Sequence, residues 1–445
     1  MAHPSEVTSN ARFGFRAAIL TSTSSGELVF FEDGLLAVDA AGRITHLEAV
    51  HTAGPDRWLD VLARVSRGGP LTVRDLRGRL VVPGFVDTHV HFPQTRVIGS
   101  ASGPLLEWLE HTVFPEEARF HDARYAGEVA LEFIERTASA GTTAAGVYSS
   151  SSVTATEALC DALDDADARA VVGLVLMDEN CPDALRVPGD RALAGLRRLV
   201  ERYHGRDGRL DMAVMPRFAL SCSRTLMTDA AALAAELDLP IHTHVAENPR
   251  EGAAVLAMHP YADDYLGVYD KVGLMGRRTV LAHAVHLSGA EWDRVASSGA
   301  AIAHCPDSNA FLGSGRMHLA EARARGIPVG LGSDVAAGRS FDIRRAAAHA
   351  YDASLSFGAP VEPAYLFHLA TLGGARVLGL DARVGSLEVG KDADFVVLAP
   401  PAWAIGREHA LRAATFASDT APVLETFVRG RCVFRAPNSA WQAPR

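Results

Sequence analysis

The segment Pro83-Gly-Phe-Val-Asp-Thr-His-Val-His91 decides how this chain is read. Its apolar residues favour a strand, and side chains alternate across a strand. His89 and His91 therefore emerge on one face, about 6–7 Å apart along it. Neutral imidazoles are good ligands for zinc, iron or nickel. Alone, an H-x-H is more often two ordinary histidines; its weight comes from the sequence around it.

Working outward, compact apolar runs recur at 80–91, 142–147, 170–177, 211–218, 241–245, 279–283, 301–304 and 329–334. Amphipathic helical patterns separate them, as at 126–140, 191–203 and 229–237. This β/α alternation predicts a buried parallel sheet, and eight such runs fit a closed (β/α)8 TIM-like barrel. In such barrels the chemistry sits at the C-terminal strand ends. The first run ends in His89 and His91 and the fourth in Arg217. The fifth ends in His244 with Glu247 beyond it, the sixth in His283 and the eighth in Asp334.

The two ends of the chain read differently. Short β-like runs at 15–20, 28–31, 34–38 and 42–45 match others at 394–398 and 424–434. Asp33-Gly34 and Ala41-Gly42 suit hairpin turns between them. We expect a small β-sandwich domain assembled from 1–80 and 382–445, flanking a barrel at 81–381. The first ten residues are polar and carry no element pattern.

Nearly half the 445 residues are hydrophobic, enough for a large core, and the formal charge is −10. That balance argues against a nucleic-acid groove, which needs a clustered basic surface. The 5 cysteines are scattered without a C-x-x-C pair, so neither a disulfide framework nor a thiolate zinc site is expected. No signal pattern or bilayer-spanning stretch is recognised, so no membrane partner is expected and the location is read as cytoplasmic.

The strand-1 motif, with the histidines and carboxylates that follow it, resembles the amidohydrolase superfamily over nearly the whole chain. The resemblance implies that His89, His91, His244 and Asp334 bind a divalent metal, with zinc favoured and iron the alternative. It implies that Glu247 shuttles protons, that His283 holds the attacking water and that Asp334 doubles as a catalytic base. His242 shares a face with His244 and is the rival ligand; lying one layer deeper, it otherwise reads as a hydrogen-bonded barrel filler. Asp334 could instead be a helix N-cap. Dinuclear relatives usually bridge two metals with a carboxylated lysine, but no lysine precedes Lys271. A mononuclear, deaminase-like site is therefore expected. The unrelated H-x-E and P-C-x-x-C deaminase signature is absent.

Three further segments narrow the substrate: His89-x-His91-x-x-Gln94, Leu105-Leu-Glu-Trp-Leu109 and Pro216-Arg-Phe218. Together they resemble the guanine-deaminating members of that superfamily. The resemblance implies hydrolysis of guanine to xanthine and ammonia, with Gln94, Arg217, Phe218, Leu106 and Trp108 around the purine base, and a homodimer. Gln94 offers both a donor and an acceptor, and Arg217 a rigid donor fork. Arg217 could equally close the barrel rim in a salt bridge, and Leu106 and Trp108 could be a helix core stripe. Asp307 departs from the pattern of relatives and is placed near the pocket. His304, His286, His204, His259, His349, His368 and His409 read as structural or surface residues. An aminohydrolase acting on 8-oxoguanine, a pterin or a triazine is the alternative, and an inactive scaffold is the least favoured reading.

Overall fold

The computed structural model describes residues 11–50, 57–66, 69–404 and 406–437. The polar first ten residues lie outside them. Fifteen strands make two sheets. The first sheet has seven strands: β1 (Ala11–Ser22), β2 (Leu28–Asp39), β3 (Ile44–Ala49), β4 (Thr72–Pro83), β13 (Phe395–Leu398), β14 (Val423–Val428) and β15 (Arg431–Arg435). Their order is β15-β14-β13-β4-β1-β2-β3, so both ends of the chain contribute to one hydrogen-bonded sheet.

The second sheet holds the remaining strands in sequence order. These are β5 (Phe85–His91), β6 (Thr142–Tyr148), β7 (Ala170–Leu176), β8 (Leu210–Pro216), β9 (Ile241–Val245), β10 (Thr279–His283), β11 (Ala301–His304) and β12 (Val329–Leu331). Neighbours pair in parallel from β5 to β12. Such strands are covered on both faces, which is why β6 and β7 are buried along their whole length and β7 is apolar throughout. The seam between β12 and β5 is bridged by hydrogen bonds, among them Ser333 N–H to Asp87 Oδ1 at 2.9 Å. Thr88 donates its hydroxyl to the Leu331 carbonyl at 2.9 Å. Asp334 N–H reaches the His89 carbonyl at 2.8 Å, and His91 N–H reaches Val335 at 3.2 Å. The chain is thus a (β/α)8 TIM-like barrel carrying a second, mixed sheet.

Three details differ from the sequence reading. The first run is two strands: β4 belongs to the seven-stranded sheet and β5 to the barrel, with Gly84 between them. A Cβ on Gly84 would lie 1.9 Å from Thr143 Oγ1, so only glycine lets the chain pass from one sheet to the other. The Asp33-Gly34 pair is not a hairpin turn but part of β2, opposite a register shift between Ala17 and Ile19. A bulge absorbs the extra residue there and the strand continues. The eighth strand ends at Leu331, leaving Asp334 in the loop beyond. Ala41-Gly42 does turn, with Gly42 at φ 81°.

One buried cation ties the two sheets together. Arg169, at the start of β7, bonds Asp394 at 3.1 Å, Asp392 at 2.8 Å and the Gly208 carbonyl at 3.1 Å. Arg169→Ala would leave buried Asp394 without its counter-charge and Asp392 with only the half-exposed Arg43 at 3.3 Å; breaking such a buried pair typically costs about 3–5 kcal/mol. Denaturant titration should show a loss of that size; a loss below about 1 kcal/mol would mean the triad does not hold the sheets.

Candidate active site

The barrel's C-terminal end gathers His91, Gln94, Leu105, Trp108, Leu109, Arg217, Phe218, His244, Glu247, His283, Leu312, Asp334 and Ala337 around one cavity. His89 and His91 end β5, His244 lies in β9, His283 ends β10, and Asp334 follows β12. His89, His91 and Asp334 offer ligand atoms within 4.8 Å of one another, as do His89, His244 and His283.

The donor set fits a divalent ion. The Nε2 atoms of His89 and His283 are buried without a hydrogen-bond partner. His244 Nδ1 contacts the Arg217 carbonyl at 2.5 Å, so it carries the proton and leaves Nε2 as a lone pair. That nitrogen stands 3.1 Å from His91 Nε2. Asp334 Oδ1 is 3.3 Å from His89 Nε2 and 3.5 Å from His91 Nε2. Burial pulls His91 and His244 well below their ordinary pKa, so both are neutral and able to ligate. Imidazoles with one carboxylate and no thiolate suit zinc or iron.

Two carboxylates beside this cluster are driven apart. Burial raises Glu247 to about 7, partly opposed by His283. Asp334 is also buried, but the His89 imidazole 3.3 Å away and the charge of His283 hold it at about 2. His283 is pulled down by burial, yet Glu247 and Asp334 outweigh that and raise it. Its Nε2 lies 3.5 Å from Glu247 Oε2 and 3.8 Å from Asp334 Oδ2. Such a split pair can divide acid work from base work.

The backbone is strained where these groups leave their strands. Ala246, His283, Ala284 and Asp334 have φ of 47°, 72°, 51° and 47°. Each such residue costs of order 1–3 kcal/mol and persists only where its surroundings over-determine it. The Asp334 loop is one such place: a Cβ on Gly338 would sit 1.6 Å from the Ser333 carbonyl oxygen.

The pocket wall holds Gln94, Arg217, Phe218 and Trp108 but not Leu106. Helix Leu105–Trp108 turns Leu105, Trp108 and Leu109 to one side. Leu106, about 100° further round, packs elsewhere against the core. Trp108 serves both the lining and the core cluster, and its indole donates to the Ser100 carbonyl at 2.8 Å. Arg217 does make a salt bridge, to buried Glu117 at 2.6 Å, while still lining the pocket. Asp307 lies outside the lining: it pairs with Arg339 and, at 3.0 Å, with His349. His242 is buried, but neither ring nitrogen bonds another protein group, so it is not the hydrogen-bonded filler expected. Neither lysine enters the site: Lys271 is in helix Tyr265–Lys271 and Lys391 bonds Ser386.

Several supporting residues escape a motif reading. Asn309 Oδ1 accepts from His283 Nδ1 at 2.9 Å and aims Nε2 into the cavity. Ser314 reaches Glu247 at 3.3 Å. Glu251 accepts from the backbone N–H groups of Glu247 and Asn248 at 3.0 and 3.1 Å, closing a capping box. That box was detectable as Asn248-x-x-Glu251. Tyr148 packs its ring 4.7–4.8 Å from those of His89, His91 and His244.

A family model for the amidohydrolase family matches residues 80–433. The guanine deaminase of Escherichia coli (strain K12) is 40% identical over 378 residues, covering 84% of this chain and 83% of its own. The solved E. coli guanine deaminase superposes with a TM-score of 0.87 at 36% identity, covering 95% of this chain and 99% of its own. The guanine deaminase from C. acetobutylicum, solved with guanine bound in the active site, gives 0.85 at 29% identity, covering 95% and 99%. The chain belongs to the amidohydrolase family, within its guanine deaminase group.

Proposed function

We propose that this chain hydrolyses guanine to xanthine and ammonia. One divalent ion, zinc before iron, is held by His89, His91, His244 and Asp334. The observation that carries the reading is that one cavity holds both the metal-ligating cluster with its split carboxylates and a polar edge made by Gln94 and Arg217. The likeness to guanine deaminases supports it. The resemblance extends the proposal to a cytoplasmic homodimer; among the described residues no helix is long and apolar enough to cross a membrane.

Bound there, a divalent ion lowers the pKa of its water from 15.7 towards about 7 and supplies positive charge opposite a developing oxyanion. The protein does the rest. Gln94 and Arg217 orient the lactam edge, while Phe218, Trp108 and Leu105 exclude water around the ring. Asp334, anionic at neutral pH, accepts the proton released as water adds to C2. Glu247, part-protonated near pH 7, gives a proton to N3; the proton held by Asp334 then passes to the amine as the C2–N bond breaks, and the hydroxyl proton released as C2=O forms returns to Glu247. His283, held by Asn309, keeps the attacking oxygen in place.

Ammonia release from guanine, 8-oxoguanine, cytosine, adenosine and melamine-type rings tests this reading. Guanine should have the highest kcat/KM of the panel. Slow turnover of guanine beside fast turnover of another ring would overturn the substrate assignment.

A further inference from the structure

Glu117 is absent from every motif and does not line the cavity, yet it holds both residues of the polar edge. Its Oε1 accepts from Gln94 Nε2 at 3.2 Å, and its Oε2 accepts from Arg217 Nη1 at 2.6 Å. Gln94 is fixed from the other side, where its Oε1 accepts from Ala336 N–H at 3.1 Å. The amide is thereby assigned: its nitrogen faces Glu117 and its oxygen faces Ala336. One N–H and one oxygen lone pair remain for a ligand. All three side chains are buried, with Glu117 and Arg217 only 3% and 4% exposed.

The charge consequence matters as much as the geometry. Arg217 alone would put an uncompensated cation in the wall of a low-dielectric cavity, an attractive place for an anion. Glu117 cancels it from behind, so the edge presents directional donors with no net charge. This bears directly on the proposed reaction. Guanine is neutral near neutral pH, whereas xanthine gives up a ring proton more readily and becomes an anion. A neutral edge accepts the substrate and lets the ionised product go.

We propose that Glu117 is a positioning and specificity residue: it orients Gln94 and Arg217 and, by neutralising Arg217, discriminates against anionic purines, including the product. The inference rests on the guanine reading above. The other charged or titratable groups facing the cavity are Glu247, Asp334, His91, His244 and His283. They are common to wild type and variant, so a comparison at fixed pH isolates the Arg217 charge.

The test is inhibition by xanthine, measured against guanine turnover from below to well above the pH at which xanthine ionises. In the wild type the inhibition constant should weaken by about tenfold per pH unit above that point, because only the neutral form binds. In Glu117→Gln the slope should flatten, and at the alkaline end xanthine should bind at least about tenfold more tightly than in wild type. KM for guanine should rise because Gln94 and Arg217 are less firmly held. Glu117→Asp keeps the charge but shortens the reach. It should raise KM while retaining the wild-type slope, and it serves if Glu117→Gln fails to fold. An unchanged slope in Glu117→Gln, or a flattened one in Glu117→Asp, would overturn the proposal. Absence of guanine turnover in the wild type would instead overturn the functional reading itself, a separate outcome of the same assay.

Discussion

Glu247→Gln should keep its metal and lower guanine turnover by about 10²–10⁴-fold, the range for removing a positioned general acid or base. The side chain is nearly isosteric, and its supports are retained: Ser314 reaches the carboxylate, while Glu251 grips the backbone. The fold and the donor cluster should therefore survive, and what disappears is the transferable proton. Burial brings Glu247 to about 7, so its protonated fraction falls as pH rises through that value. A group acting as acid from the protonated form gives a wild-type kcat/KM that declines on the alkaline side. That limb should be missing from the residual activity of Glu247→Gln. Metal analysis together with a pH profile reads both effects. Retained turnover, or a residual profile with the same alkaline limb, would remove Glu247 from the proton-transfer role.

The barrel and the residues at its strand ends were legible because strands impose a period. His89 and His91 had to share a face, and runs ending in His244, His283 and Asp334 had to deliver those side chains to one end of a parallel barrel. Loops carry no such period, and the reading weakened there. Of the residues after β5 expected around the base, Gln94 and Trp108 line the cavity and Leu106 does not, because the start of the helical turn decides which leucine faces inward. Glu117, at the end of a short helix, is invisible for another reason. Its partners Gln94 and Arg217 lie 23 and 100 residues away, and no spacing rule joins them. Asp307 was noticed as unusual in type, but its partner Arg339 lies across another loop and draws it away from the cavity. Asp33-Gly34 shows the converse limit: turn chemistry also suits a bulge, and only the pairing partner tells them apart.

Removing the metal should abolish turnover and lower stability together, because the donors are buried with no alternative partners. His89 Nε2 makes no hydrogen bond and only faces Asp334 Oδ1 at 3.3 Å, while burial, reinforced by neighbouring positive charge, keeps His91 and His244 neutral. An ion that binds only the folded chain stabilises it by about 4.1 kcal/mol at a free concentration 1,000 times its Kd. Melting of chelated and reloaded protein should therefore differ by several degrees, with activity returning on reloading. Metal analysis should give about one ion per chain; two tightly bound ions would reject the single-ion site. His91→Ala and His242→Ala separate the ligands from their rival. His91→Ala should lose the stoichiometric ion and the stabilisation that comes with it. His242→Ala should keep both, since His242 belongs to neither group of clustered donors. If the His242 variant lost the ion and the His91 variant kept it, the ligand set would have to be redrawn one layer deeper in the barrel. His244 would then no longer be the β9 ligand, and Glu247 would sit too far along the chain to share its site.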